Sequence, residues 1–303
     1  MSRLVKMLGQ KDVLLADGAM GTLVVERAAR ENLPQPIDFG FVVLQAPGIL
    51  EAVHQDYVDA GAELLLTGTF SFTSHQLGKR GKASVLEQLL RIAADCARRA
   101  AGADRVVFGD LGPIGDFFPP MGSLAREDAV ESYARRARTL AATGLVDGFV
   151  IETQYDLQEV ECAVAGVRQV SDLPLAVSMS FDSHGRTMLG VGPEAFAEVV
   201  VAKSVELAGV NCGKTLQESF DALVAIRNAA PDLKLWAKPN AGLPSLRSGV
   251  AQYDLLPGEF ADWAVRFASI GASVFGGCCG TTPEHIRAAA CALGRNEANG
   301  GVT

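Results

Sequence analysis

Apolar residues in this chain come in short unbroken runs, each followed by a longer stretch where they recur every three or four positions. The runs are 13–16, 63–67, 105–109, 148–151, 175–178, 207–210, 235–237 and 273–275. Because they are continuous rather than alternating, they predict parallel strands covered on both faces. Amphipathic helices are expected to begin near Pro47, Lys82, Arg126, Leu157, Pro193, Leu216, Pro257 and Pro283. Val85, Leu86, Leu89, Leu90, Ala93 and Ala97 form one apolar stripe, and Phe260, Trp263, Ala264 and Phe267 another. Proline suits the first helical position, whose N–H has no partner inside the helix. Eight such units predict a single closed (β/α)8 TIM barrel, and the absence of a dividing linker argues against an open doubly wound sheet. The barrel is expected to span 1–295, with 296–303 a polar, flexible tail. The excursions 29–46, 110–124 and 239–256 read as non-helical, and all follow strands, where a barrel builds its active-site rim.

Composition narrows the function. The chain is 49% apolar with a net charge of −8, and no face reads as a basic stripe, which argues against nucleic acid and anionic membranes as partners. No run approaches the roughly 18 apolar residues of a spanning helix. The first ten residues lack a secretory pattern, so a cytoplasmic, reducing location is expected. There, six cysteines are free or metal-bound rather than paired. Cys96, Cys162 and Cys291 fall on predicted helices and are expected to be small core residues.

The remaining three carry the candidate chemistry. Cys278 and Cys279 stand where the run 272–275 ends and a helix begins, with Thr281 or Thr282 as its cap and Pro283 in its first turn. Cys212 closes the sixth strand. In a barrel all three point to the mouth at the carboxyl ends of the strands. Three thiolates can hold a zinc ion with one position open, whereas a structural zinc site normally has four protein ligands. Buried cysteines without metal are the alternative. His54 and His285 are expected on helices and His75 and His184 in loops, none at a ligand spacing. The same mouth collects Asp17, Asp110 and Glu152 at strand ends. Asp17 and Glu152 can hold an ammonium group, and the N–H groups of Gly18 and Ala19 a carboxylate. From the dipeptide alone Asp17-Gly18 reads first as an ordinary tight turn, whereas Glu152 at the end of an apolar strand is costly unless paired. Thr67 and Thr69 are pocket hydroxyls or β-branched strand residues. Asn240 is a temporary oxygen ligand to the metal or a turn residue.

The segments 17–22, 61–70, 151–153, 209–212, 239–244 and 276–286 resemble the homocysteine S-methyltransferase family, and the likeness runs from about residue 12 to 293. The Asn240-Ala241-Gly242-Leu243-Pro244 loop is most similar to the homocysteine-binding barrel of cobalamin-dependent methionine synthase. The resemblance implies Zn2+ on Cys212, Cys278 and Cys279, and homocysteine bound through sulfur to the metal. It places Asp17, Gly18, Ala19, Thr67 and Glu152 around the amino-acid end, and Asn240 at the fourth metal position when substrate is absent. The implied activity is a methyltransferase of the EC 2.1.1 class, converting L-homocysteine to methionine. Its donor would be a separate methyl-corrinoid protein or a small methylated sulfonium. Another thiol acceptor, demethylation of a methylated donor toward a corrinoid protein, and a non-enzymatic zinc-bearing docking subunit are the competing readings. Two departures stand out: Gly68 replaces the family's usual asparagine, and Ser71 and the segment 39–44 lack the aromatic residues of the betaine-using branch. The folate and cobalamin modules of methionine synthase are also expected to be missing.

Overall fold

Eight parallel strands form one sheet: β1 (Leu14–Leu15), β2 (Leu64–Leu66), β3 (Val106–Leu111), β4 (Gly148–Gln154), β5 (Leu175–Met179), β6 (Leu207–Cys212), β7 (Lys234–Pro239) and β8 (Ala272–Phe275). In this computed structural model, which describes residues 3–31, 33, 37–247 and 250–295, they lie in the order β1-β8-β7-β6-β5-β4-β3-β2. A parallel bridge between Ala16 and Leu64 joins the two ends of that order. The Asp17 N–H donates to the Leu64 carbonyl at 3.0 Å and the Glu63 N–H to that of Leu15 at 2.7 Å. The ring therefore closes, as the eightfold repeat predicts.

The predicted helix starts agree closely with the structure. Helices span Pro47–Asp59, Leu86–Ala101, Arg126–Ala141, Leu157–Arg168, Pro193–Ala202, Leu216–Ala229, Pro257–Ser269 and Pro283–Ala292, and a 3-10 turn, Ala83–Val85, precedes the second. Their apolar stripes pack on the outside of the sheet. A second core fills the barrel: Leu14, Leu64, Val106, Phe108, Val150, Leu207, Trp236 and Val274 point inward. The Phe108 and Trp236 rings stack at 6.0 Å. At Gly209 in β6 a Cβ would lie only 1.9 Å from the Trp236 carbonyl oxygen, so this strand contact requires glycine.

The helix Arg3–Leu8 plugs the floor of the barrel, where the strands begin, with Leu4 buried against the inner core. Around it, Asp147 pairs with Arg3 and Arg98, and Glu63 with Lys11 and Arg295. Among the described residues no helix is long and apolar enough to cross a membrane.

Several expectations are corrected. The excursion 29–46 contains the helix Phe39–Gln45, opened by Asp38, whose side chain accepts the Phe41 N–H at 2.8 Å. The helix Gly21–Arg30 follows β1 directly, and 239–256 folds into an antiparallel hairpin of Pro244–Arg247 with Val250–Tyr253. His75 belongs to a short helix, Ser74–Gly78, and His184 to a 3-10 turn, Ser183–Gly185. Cys96 and Cys162 are buried as expected, but Cys291 is exposed, because it faces away from the stripe formed by Ile286, Ala289 and Ala290. The expected tail, 296–303, lies outside the described residues. The most consequential difference is length: β3, β4, β6 and β7 continue two or three residues past their apolar runs. Asp110, Glu152 and Asn211 thus sit on strands, as their place at the strand ends implies, and Lys238 joins them inside β7.

Candidate metal centre and acceptor pocket

The fold brings the three mouth cysteines together. The Cys278 Sγ lies 3.5 Å from that of Cys212, and the Cys212 Sγ 3.8 Å from that of Cys279. A tetrahedral zinc ion with bonds of about 2.3 Å would separate its sulfur ligands by about 3.8 Å. Among the described residues, this is the group whose donor atoms converge closely enough to hold a metal.

Backbone bonds hold the trio from both sides. The Gly277 N–H donates to the Asp17 carbonyl, the Cys278 N–H to that of Pro239 and the Ala241 N–H to that of Cys279, each at 2.9 Å. The Thr281 hydroxyl donates to the Cys278 carbonyl at 2.7 Å and accepts the Ala19 N–H at 3.0 Å. Thr282 is the residue that caps the following helix. The hairpin also contributes, since Tyr253 hydrogen-bonds Cys279.

The thiols share one negative charge easily and resist more. Hydrogen bonds with Cys212 and Cys278 bring Cys279 down to about 3. Its own hydrogen bonds to Cys278 and Cys279, with burial, raise Cys212. At Cys278 the bond with Cys212 lowers the thiol, but the bond with Cys279, burial and the charge of Cys279 push it up to about 12. Full deprotonation of all three therefore calls for a cation, and thiolate binding to a metal provides one. Asn240 fits the same need. Its Nδ2 donates to the Gly213 carbonyl at 2.8 Å, while its buried Oδ1 has no partner.

Asn211, beside Cys212, clamps the neighbouring strands. Its Oδ1 accepts the Thr153 N–H and the Ser178 hydroxyl, and its Nδ2 donates to the Thr153 Oγ1, each at 2.7 Å. The same Nδ2 lies 3.9 Å from the Cys278 Sγ. These bonds sustain Thr153 at φ 57° and adjoin Cys212 at φ 58°, left-handed conformations that cost non-glycine residues about 1–2 kcal/mol each.

Below the thiols a cavity of about 320 Å³ opens, walled by Asp17, Gly18, Ala19, Asp110, Glu152, Lys238 and the apolar Met20, Phe39, Leu66 and Phe70. Its carboxyl and lysine side chains, Asp17, Asp110, Glu152 and Lys238, are only 1% to 8% exposed. Lys238 pairs with the Asp17 Oδ1, and the Leu66 N–H donates to the Asp17 Oδ2 at 2.8 Å. Burial would discharge the Lys238 ammonium, but Asp17 and Glu152 outweigh it and hold its pKa above the ordinary lysine range. Burial, then the Cys278 charge, pushes Glu152 up to about 8, with Lys238 pulling the other way. Burial, then the charge of Glu152, raises Asp110. Three carboxyl groups thus face one resident cation.

Of the residues expected around an amino-acid ligand, Asp17, Gly18, Ala19 and Glu152 line the cavity. Thr67 stands behind it: its hydroxyl contacts that of Thr69 at 2.7 Å and accepts the Asp110 N–H at 3.0 Å. The Ala19 N–H is already engaged by Thr281, whereas the Gly18 N–H meets no acceptor among the described residues. A Cβ on Gly18 would lie 2.6 Å from the Thr281 Oγ1. Lys238, Asn211 and Tyr253 are absent from the sequence-based site. A charged or amide residue inside a buried strand is the signal that pointed to Glu152, and it applies equally to Lys238 and Asn211.

Comparison with known proteins supplies the context. The homocysteine S-methyltransferase family matches residues 14–293. The chain is 32% identical to the methionine synthase of Mycobacterium leprae over 310 residues, and 33% identical to that of Mycobacterium tuberculosis over 308. Each alignment covers 96% of this chain and 25% of the relative, so the chain spans about a quarter of the length of these curated relatives. In structure it is similar to the metallated form of the homocysteine methyltransferase MmuM from Escherichia coli, with a TM-score of 0.77 at 23% identity, covering 94% of this chain and 98% of that one. A methyltransferase from Methanosarcina mazei aligns with a TM-score of 0.59 at 12% identity, covering 96% and 97%. The two structural likenesses speak for the shared barrel.

Proposed function

The chain belongs to the homocysteine S-methyltransferase family, and from that membership we propose that it methylates the thiol of L-homocysteine to form methionine, with zinc as its resident metal. The observation that carries this reading is the convergence of three sulfurs at tetrahedral spacing above an acidic cavity. Cys212, Cys278 and Cys279 would hold the ion, and the unpartnered Asn240 Oδ1 would occupy the position that the substrate sulfur later takes. Bound zinc supplies the Lewis acidity that removes the proton of an incoming thiol while leaving a nucleophilic thiolate.

The chain's own groups bind and orient the rest of the substrate. Glu152 receives the ammonium group, and the Gly18 N–H the carboxylate. Asp17 acts through Lys238 as part of the cavity wall, Ala19 and Thr281 hold the turn that presents Gly18, and Thr67 steadies the third strand. The methyl donor we propose is a separate methyl-corrinoid protein or a small methylated sulfonium. The apolar wall of Met20, Phe39 and Phe70 borders the place where the methyl group would arrive.

The test is a methionine-forming assay on metal-replete and chelator-treated protein. Methylcobalamin with and without a corrinoid protein, S-methylmethionine and S-adenosylmethionine serve as donors, with other thiols as competing acceptors. Metal-dependent methionine formation is expected with at least one donor. Transfer that survives metal removal, or a clear preference for another thiol, would overturn the assignment.

A further inference from the structure

Asp17, the carboxylate nearest the turn, has both oxygens engaged by the chain, one by Lys238 and one by the Leu66 N–H. Asp110 is different. Its Oδ2 accepts the Phe70 N–H at 3.1 Å, but no donor group of the chain reaches its buried Oδ1, and its side-chain neighbour is another carboxyl, Glu152, with which it can bond only by sharing a proton. We propose that Asp110 is a specificity-determining residue of the acceptor site, its Oδ1 joining Glu152 to receive the ammonium group of an amino-acid thiol while Lys238 keeps Asp17 from that task.

Three observations lead there. First, the main chain of Asp110 is held in place and the Phe70 N–H anchors its carboxyl. Its N–H is bound to the Thr67 Oγ1 at 3.0 Å and its carbonyl accepts the Thr69 hydroxyl at 2.6 Å, fixing the backbone on β3. A carboxyl oxygen held without a partner in the interior is costly, and a ligand that donates to it recovers that cost. Second, Asp110 lines the same cavity as Glu152 and the three cysteines. Third, one cation serves three carboxyl groups: Lys238 ion-pairs with Asp17, while Asp110 and Glu152 lie side by side and feel it only at longer range, so a second cation would bind between them. An ammonium group carries three N–H donors, and this pair offers acceptors on two different strands, which fixes direction as well as charge.

The inference rests on an amino-acid thiol being the acceptor, and the experiment separates the two claims. Protein loaded with Co2+ in place of zinc is titrated with L-homocysteine and with 4-mercaptobutanoate, which has the same thiol and carboxylate but no amine. Binding is read from the thiolate-to-cobalt absorption band, without turnover. The unmodified protein should favour homocysteine clearly. Asp110→Asn, which keeps an acceptor for the Phe70 N–H, should weaken homocysteine at least about tenfold and change 4-mercaptobutanoate less than about twofold. Asp110→Ser serves as a second variant, and thermal denaturation reports folding for both. If the variants keep the full preference for homocysteine, or lose affinity for both thiols equally, the role of Asp110 is refuted. If the unmodified protein binds neither thiol at cobalt, or does not distinguish them, the amino-acid acceptor itself is refuted.

Discussion

At the floor of the barrel Asp147 lies between Arg3 and Arg98 and also accepts the Val107 N–H at 2.9 Å, and Glu63 faces Lys11 and Arg295. At the mouth, built from the other ends of the same strands, Asp110 and Asn240 each leave a buried oxygen unpartnered, and Thr153 and Cys212 hold left-handed backbone. The floor pairs its carboxylates with cations of the chain, whereas the mouth leaves carboxyl and amide oxygens that no group of the chain donates to. Stability is thus concentrated at one end, and unsatisfied chemistry at the other.

That division can be broken by substitution. The largest effect is expected from Cys212→Ala, which should abolish metal binding and methyl transfer together, as read by metal analysis and turnover. Bound metal near one equivalent in this variant would contradict a shared three-sulfur site. Next, Glu152→Gln should raise the KM for homocysteine about a hundredfold with a smaller change in kcat, reflecting the roughly 2–5 kcal/mol lost when a buried charge pair loses one partner. A fall in kcat alone would place Glu152 outside amine recognition.

At the floor the expected signs reverse. Leu4→Ala should lower unfolding stability by about 2–4 kcal/mol in denaturant titrations while leaving the KM for homocysteine unchanged. A comparable rise in KM would show that the two ends are coupled. His54, buried in the helix Pro47–Asp59 with neither ring nitrogen partnered, belongs to neither end. Burial lowers it from 6.5 to about 3. Its folded pKa lies below the unfolded one, so its contribution is complete above pH 6.5 and is lost as pH falls toward 3, by about 1.4 kcal/mol per pH unit. His54→Leu should flatten that part of the stability profile of metal-free protein. An unchanged slope would mean that His54 gains a partner in solution.

How much of this could be read without coordinates depends on how each feature is encoded. The strands were legible because burial on both faces demands unbroken apolar runs, and the helix starts because proline marks four of them. The cysteine trio was legible because sulfur at two strand ends has few other uses. The polar continuations were legible only in part: Asp110, Glu152 and Cys212 read as strand ends, but Lys238 did not. Ending β7 where its apolar run ends, at Ala237, leaves Lys238 in a loop, and its pairing with Asp17 spans 221 positions. Asp17 therefore reads as an available ammonium partner from the sequence, and only the closed ring shows it engaged. The helix Phe39–Gln45 is hidden by an apolar run too short to distinguish helix from strand. Gly68 has a backbone reason: it adopts φ +70°, and a Cβ there would lie 3.1 Å from the Met20 Cγ, so glycine suits both the conformation and the space.

The floor has one more consequence. Arg3 binds Asp147, and Arg295 binds the Val13 carbonyl as well as Glu63, so the chain enters and leaves the fold on the side away from the thiols. A label attached at Arg3 or Arg295 would therefore sit at the back of the molecule and leave the cavity entrance unobstructed.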